Sequence, residues 1–117
     1  MNMYRENIIE HWKNPNNSGN LTNFNIKTHA HNPSCGDEIE IKIKIEKNKI
    51  KDAKFIGEGC AISLASADIL LDNIKNKNLD EVKKIDEKKL LSLLGTKLTP
   101  SRLNCALLSL QALKQIK

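Results

Sequence analysis

The sequence predicts an α+β fold: a small three-stranded antiparallel sheet packed by helices and closed by a long C-terminal helix. Three observations carry this expectation. Ile39, Ile41, Ile43 and Ile45 alternate with Glu40, Lys42 and Lys44, the period of a strand with one buried face. After Gly57-Glu58-Gly59 the apolar spacing changes from every second residue to helical. Thr99-Pro100 then opens a last segment in which Leu103, Leu107, Leu110 and Leu113 recur at helical spacing. Strands grouped ahead of helices belong to an α+β architecture rather than to alternating βα units. In 117 residues there is room for one hydrophobic core and not two, and no internal repeat, low-complexity run or linker interrupts the chain. Residues 1–117 are therefore expected to form a single domain.

From the N-terminus, Tyr4 to Lys13 places Ile8, Ile9 and Trp12 at helical spacing, and Asn14-Pro15-Asn16-Asn17-Ser18-Gly19 stops that helix with turn formers. Trp12 and Phe55 are expected as core anchors. Phe24, Ile26 and Thr28 alternate in the manner of a short edge strand. The long strand Ile39 to Ile45 turns through Glu46-Lys47-Asn48-Lys49 into a return strand, Ile50 to Ile56, with Ala53 and Phe55 inward. Ile50 falls out of that phase, which points to a bulge or a late strand start. Ala61 to Lys75 reads as a largely buried helix, because Ile62, Leu64, Ala65, Ile69, Leu70, Leu71 and Ile74 spread widely around it. A lighter helical stretch runs from Leu79 to Leu94, broken near Ile85-Asp86 and capped by Gly95. Thr99 is the expected N-cap of the last helix, with Pro100 in its first turn.

Composition narrows the function classes. The net charge of +5 comes from 19 basic against 14 acidic residues, but Lys is scattered among Glu and Asp along the chain and only 3% of residues are aromatic. A nucleic-acid-binding surface needs clustered basic residues with stacking aromatics, so this pattern reads as a solvated surface and no nucleic-acid partner is expected. The first fifteen residues carry Arg5, Glu6, Glu10, His11 and Lys13, which excludes a signal-peptide core, and no apolar run approaches the ~20 residues that span a bilayer. A cytoplasmic protein without membrane contact, monomeric or weakly oligomeric, is the expectation. In a reducing compartment three cysteines do not make a disulfide framework, which leaves metal ligation or thiol chemistry.

Those cysteines fall at element junctions. Cys35 lies in Asn32-Pro33-Ser34-Cys35-Gly36-Asp37 before the long strand, Cys60 follows Gly57-Glu58-Gly59, and Cys105 lies in the first turns of the last helix. Cys60 and Cys105 sit near helix N-termini, where the positive end of the helix dipole favours the thiolate. A lone cysteine is more often a small buried hydrophobe, and on its Leu-rich helix Cys105 fits that role equally well. In Cys35-Gly36-Asp37, the glycine permits a tight turn that presents a sulfur and a carboxylate to one site; an aspartate in such a turn also commonly caps backbone N–H groups. Arg102, three residues before Cys105, shares its helix face and offers a cation to a thiolate or persulfide; a plain surface arginine is the alternative. His29 and His31 are expected as exposed loop histidines rather than ligands.

Together these segments resemble the iron-sulfur scaffold family of IscU, SufU and the N-terminal domain of NifU. The resemblance rests on Asn32-Pro33-Ser34-Cys35-Gly36-Asp37, Asp52-Ala53-Lys54-Phe55, Gly57-Glu58-Gly59-Cys60-Ala61-Ile62-Ser63, Ala65-Ser66-Ala67 and Arg102-Leu103-Asn104-Cys105. It extends to His11-Trp12-Lys13-Asn14-Pro15-Asn16-Asn17-Ser18-Gly19 and keeps motif order over nearly the whole chain. It implies a SufE/NifU-like fold and a scaffold that builds a transient [2Fe-2S] cluster from iron and sulfur supplied by a cysteine desulfurase, then passes it to recipient apo-proteins. It also implies that Cys35, Cys60 and Cys105 are cluster ligands and that Asp37 is a ligand or controls cluster lability. Three thiolates and one carboxylate fill the four protein positions of such a cluster, and the same set makes a tetrahedral zinc site.

Two departures keep a second reading open. IscU-type members have His before the third cysteine, where this chain has Asn104, and a Leu-Pro-Pro-Val-Lys motif, where it has Leu98-Thr99-Pro100-Ser101-Arg102. Gly-Glu-Gly-Cys and Arg-x-x-Cys resemble instead the SufU branch, a zinc-dependent sulfurtransferase that accepts persulfide sulfur, with Cys35 or Cys105 as candidate acceptors and Arg102 in support. The interval from Cys60 to Cys105 nevertheless lacks the insertion typical of SufU.

Overall fold

The computed structural model of the protein describes residues 3–33, 36–95 and 98–116. Among them run α1 (Met3–Lys13), β1 (Ile26–Asn32), β2 (Asp37–Glu46), β3 (Lys49–Glu58), α2 (Ala61–Ile74), α3 (Leu79–Lys83), α4 (Glu87–Leu94) and α5 (Pro100–Leu113). The strands form one antiparallel sheet in the order β1-β2-β3. Its inner face carries Ile39, Ile41 and Ile43, all without solvent exposure, together with Ala53 and Phe55. Each such isoleucine contributes about 1.5–3 kcal/mol through burial. The outer face is polar, with Glu38, Glu40, Lys42 and Lys44 opposite β1 and β3 residues.

Lys47 and Asn48 both take positive φ, 51° and 65°, in the two-residue turn from β2 to β3, which matches the right-handed twist of the paired strands. The phase problem at Ile50 is solved by a bulge: Lys44 faces Asp52 while Ile45 faces Ile50, so Lys51 is the extra residue. That insertion returns Ile50 to the buried face shared with Ala53 and Phe55.

The outer edge of β3 is covered in two places. Phe55 N–H donates to the Asn17 carbonyl at 2.8 Å and Gly19 N–H to the Phe55 carbonyl at 3.0 Å; the Asn76–Lys77 turn bonds Ile50 in the same way. At the opposite edge, the Gln115 side-chain amide bonds the backbone of His29 on both its N–H and its carbonyl. Exposed edges invite pairing with other chains, and both are shielded here.

α2 and α5 pack on each other, α2 against β3, and α5 against β1 and β2, and α1 lies on α2. α5 is buried more broadly than its leucine stripe: Ala106, Leu108, Ser109 and Ala112 are buried while Leu103 and Leu107 are only partly so. Contact with both the sheet and α2 covers two sides of the helix.

Two expectations fail. Trp12 is 44% exposed and Ile9 38%, because α1 packs chiefly on α2 through the face bearing Ile8 and His11, and Trp12 falls one position further round. Thr99 is the N-cap of α5 as expected, with Pro100 in the first turn, though its side chain makes no capping bond. His29 and His31 are exposed as expected, yet they lie in β1, on the outer face opposite Glu40 and Glu38, rather than in a loop. Elsewhere Gly95 takes the left-handed cap of α4, and α3 and α4 part at Lys84–Asp86.

Candidate functional site

Asp37 opens β2, Cys60 caps α2, and Cys105 lies in the second turn of α5, so the ends of a strand and a helix meet the side of another helix. Their ligand atoms, one carboxylate oxygen and two sulfurs, all lie within 4.8 Å of one another. In a tetrahedral zinc site the ligand atoms are about 3.5–3.8 Å apart, as follows from metal bonds of about 2.0–2.3 Å. The three lie close to that spacing, and the donor set fits a soft divalent metal or an iron-sulfur cargo. Cys35 lies outside the described residues.

Local chemistry explains each placement. Gly36, at φ 76°, supplies the left-handed turn that delivers the chain into β2 and aims Asp37 inward, where it is 6% exposed. Gly59 is required by contact: a Cβ there would lie 2.8 Å from Asp37 Cγ and 3.1 Å from each of its carboxylate oxygens. Gly57 is required by the sheet, since a Cβ would stand 2.5 Å from the Glu38 carbonyl oxygen.

Cys60 is the N-cap of α2, with its sulfur accepting the Ser63 N–H at 3.5 Å. Burial of the sulfur opposes ionisation. Contact with the Ser63 side chain and hydrogen bonds from the Ser63 N–H, the Cys105 thiol and the Ile62 N–H outweigh it, and the net effect holds the Cys60 thiol below its ordinary 9.0.

Ser63 stands at the centre of the group with no solvent exposure. Its hydroxyl donates to Asp37 Oδ2 at 2.6 Å and lies 3.2 Å from the Cys105 carbonyl oxygen and 3.5 Å from Cys60 Sγ. The sequence places this serine on the first turn of α2 within Gly-Cys-Ala-Ile-Ser, but nothing in its spacing says that it reaches across to β2. Arg102 is exposed on α5 one turn before Cys105, and it makes no ion pair with a described residue. Asn104 is exposed beside Cys105. One surface hollow of about 320 Å³ lies at Lys77, Glu81, Lys84, Ile85 and Lys89, on the α3–α4 side and away from this junction.

A second polar group, His11, Asp68 and Asp72, also gathers within ligand distance. Asp68 is fully buried in α2 and already satisfied: Oδ1 accepts Asn17 N–H at 2.8 Å and Asn17 Nδ2 at 2.9 Å, and Oδ2 lies 2.5 Å from His11 Nδ1. Asn17 Nδ2 also reaches Asp72 Oδ1, and the Lys75 ammonium bonds Asn17 Oδ1. A lysine cation at this point disfavours a metal ion. The network fastens α1 and the Asn14–Gly19 turn to α2, which gives the His11-to-Gly19 segment its structural purpose.

Comparison with known proteins agrees with this geometry. The chain is 36% identical over 130 residues to the zinc-dependent sulfurtransferase SufU of Bacillus subtilis, covering 97% of this chain and 88% of that protein. It is 34% identical over 116 residues to the iron-sulfur cluster assembly enzyme IscU of Drosophila melanogaster, covering 96% and 74%. A crystal structure from Fervidobacterium islandicum, assigned to the SUF system as an iron-sulfur cluster assembly scaffold, superposes with a TM-score of 0.79 at 28% identity over 94% of this chain and 93% of that one. A nitrogen-fixing NifU-like N-terminal protein from Brucella abortus shares the fold at 17% identity, with a TM-score of 0.75 over 97% and 90%. The model of the NifU-like N terminal domain matches residues 3–116, and the chain belongs to that family.

Proposed function

We propose that the protein is an iron-sulfur cluster assembly scaffold that holds a transient [2Fe-2S] cluster on Cys35, Asp37, Cys60 and Cys105. The observation that carries this reading is the convergence of Asp37, Cys60 and Cys105 from three elements to within 4.8 Å. Cys35, two residues before Asp37, is the fourth ligand by its place in the motif. The cluster is cargo: iron arrives from solution, sulfur from a cysteine desulfurase, and the product leaves to apo-proteins. A carboxylate among thiolates is the harder and weaker donor to iron, which suits a cluster meant to depart.

Anaerobic incubation with ferric iron and sulfide tests the reading. Visible absorption of a protein-bound cluster, lost in Cys60→Ala and Cys105→Ala, is the expected result. A folded, zinc-free sample that forms no cluster sinks it.

The similarity to SufU and the presence of Asn104 where a ligand histidine stands in IscU favour a second reading. In it zinc occupies the same residues and a thiolate, Cys35 or Cys105, attacks the terminal sulfur of the desulfurase persulfide. The S–S bond breaks, the desulfurase thiolate leaves, and the sulfane sulfur stays on the attacking cysteine. Arg102 supports the negative sulfur. Desulfurase turnover that rises on adding the protein and does not rise with Cys35→Ala distinguishes this reading from the first.

A further inference from the structure

We infer that Ser63 is a positioning residue of the metal centre, acting through Asp37. The inference rests on the reading that Asp37 is a ligand. Asp37 needs to be held, because a carboxylate on two rotatable bonds meets a metal well only when something fixes its orientation. Among the described contacts that confine it, the Gly59 backbone leaves no room for a Cβ on one approach, and the Ser63 hydroxyl bonds Oδ2 at 2.6 Å. That distance is in the range of a charge-assisted O–H···O⁻ bond. A hydroxyl has one proton, and the carboxylate is the nearest and most basic of the three acceptors around it, so the proton belongs to Asp37.

The same residue reaches the other two elements of the site. Its N–H bonds Cys60 Sγ, and its oxygen lies 3.2 Å from the Cys105 carbonyl, so one fully buried residue on α2 touches all three elements of the site. The contrast along the helix is informative. Ser66, one turn later on α2 and also buried, has a hydroxyl with no hydrogen-bond partner among the described residues. Ser63 is the serine of α2 engaged with the ligands, and Ser66 is the control.

The test measures zinc affinity by competition with a chromophoric chelator, and the visible ligand-field spectrum of the cobalt(II)-substituted protein. Wild type is compared with Ser63→Ala, Ser63→Thr, Ser66→Ala, Asp37→Ala and the double variant Ser63→Ala/Asp37→Ala, each checked for folding by circular dichroism. Loss of an outer partner of a metal ligand weakens binding about 10–100-fold, and Ser63→Ala is expected to do so with an altered cobalt spectrum. Ser63→Thr keeps the hydroxyl and is expected to retain wild-type affinity; it carries the test should Ser63→Ala not fold. In the Asp37→Ala background, Ser63→Ala is expected to add nothing, the signature of action through one partner. Wild-type affinity and spectrum in Ser63→Ala, equal weakening in Ser66→Ala, full additivity in the double variant, or weak binding by folded Ser63→Thr each overturns the inference. If wild type binds no zinc, or Asp37→Ala binds it unchanged, the reading of the centre itself fails, and that result is distinct from all of these.

Discussion

Replacing Gly59 with alanine should disable the metal centre while leaving the fold in place. The backbone at residue 59 is not in the left-handed region, so the effect of a side chain there is one of contact rather than torsion. The new Cβ would stand 2.8 Å from Asp37 Cγ. Carbon atoms pack best at about 3.5–4.0 Å, so the carboxylate has to retreat by about 0.7 Å or more. It has no room to move toward Ser63, since its Oδ2 is already only 2.6 Å from that hydroxyl, and moving away breaks the bond.

Either motion takes the proposed ligand out of the group whose donor atoms lie within 4.8 Å of one another. Zinc affinity, measured by chelator competition, is expected to fall about 10–100-fold, equivalent to about 1.4–2.7 kcal/mol. The companion variant Gly57→Ala presses on the Glu38 carbonyl at 2.5 Å and on Ile39 Cα at 3.2 Å, so it strains the β2–β3 pairing instead. It is expected to lower metal-free stability by about 1–3 kcal/mol, read from denaturant unfolding, with a smaller effect on affinity. Wild-type zinc affinity in folded Gly59→Ala would refute the claim that the Asp37 carboxylate is confined by this glycine at the metal.

Three further outcomes follow from the structure. Asp68→Ala leaves Asn17 and His11 facing an empty position; losing one side of such a buried pair costs about 3–5 kcal/mol, so the melting temperature should fall by ~10 °C or more, and an unchanged melt would show that the network carries no stability. In the metal-free protein Cys60 ionises below 9.0, so its site-resolved alkylation rate should reach half-maximum at lower pH than in the denatured chain; because a lowered value means more thiolate at a given pH, the shift is toward faster labelling near neutrality, and a midpoint at or above that of the denatured chain contradicts it. Trp12 is the sole tryptophan and 44% exposed, so its fluorescence should be open to quenching by acrylamide and iodide, and a shielded, blue-shifted emission would place it in the core after all.

Much of the fold was legible because periodicity reports burial directly. The isoleucines of β2 declared their face, and Ile50 out of phase pointed to a bulge or a late strand start, of which the pairing shows the bulge, at Lys51. Gly95 and Pro100 marked helix boundaries through backbone geometry, which is a local property. Trp12 was misread because residue type speaks to average burial, whereas exposure on α1 depends on which neighbour the helix meets. At the site, the cysteines and Asp37 could be named from motif order, but the role of Ser63 depends on a contact between residues 26 positions apart in the chain. No local pattern encodes such a contact. The same holds for the Asn17–Asp68 bonds, which span 51 positions and turn an unremarkable loop asparagine into a fully buried one.

The two buried aspartates show why similar residues have different duties in this fold. Asp37 and Asp68 both contact or belong to α2, and each heads a group with ligand-distance spacing. Around Asp68 the neighbours are a histidine, an amide side chain, a backbone N–H and, one step further, a lysine cation. These donors and the cation already satisfy the carboxylate charge, and a metal would have to displace them. Around Asp37 the described neighbours include two sulfurs, one of them with lowered proton affinity, and a hydroxyl that orients the carboxylate. Two anions-in-waiting beside a carboxylate raise the local demand for positive charge, and a cation that binds there relieves repulsion instead of competing with a resident lysine. The electrostatics therefore suit Asp68 to a structural lock and, on the proposed function, Asp37 to the metal centre, a distinction that the spacing of the donor atoms alone does not make.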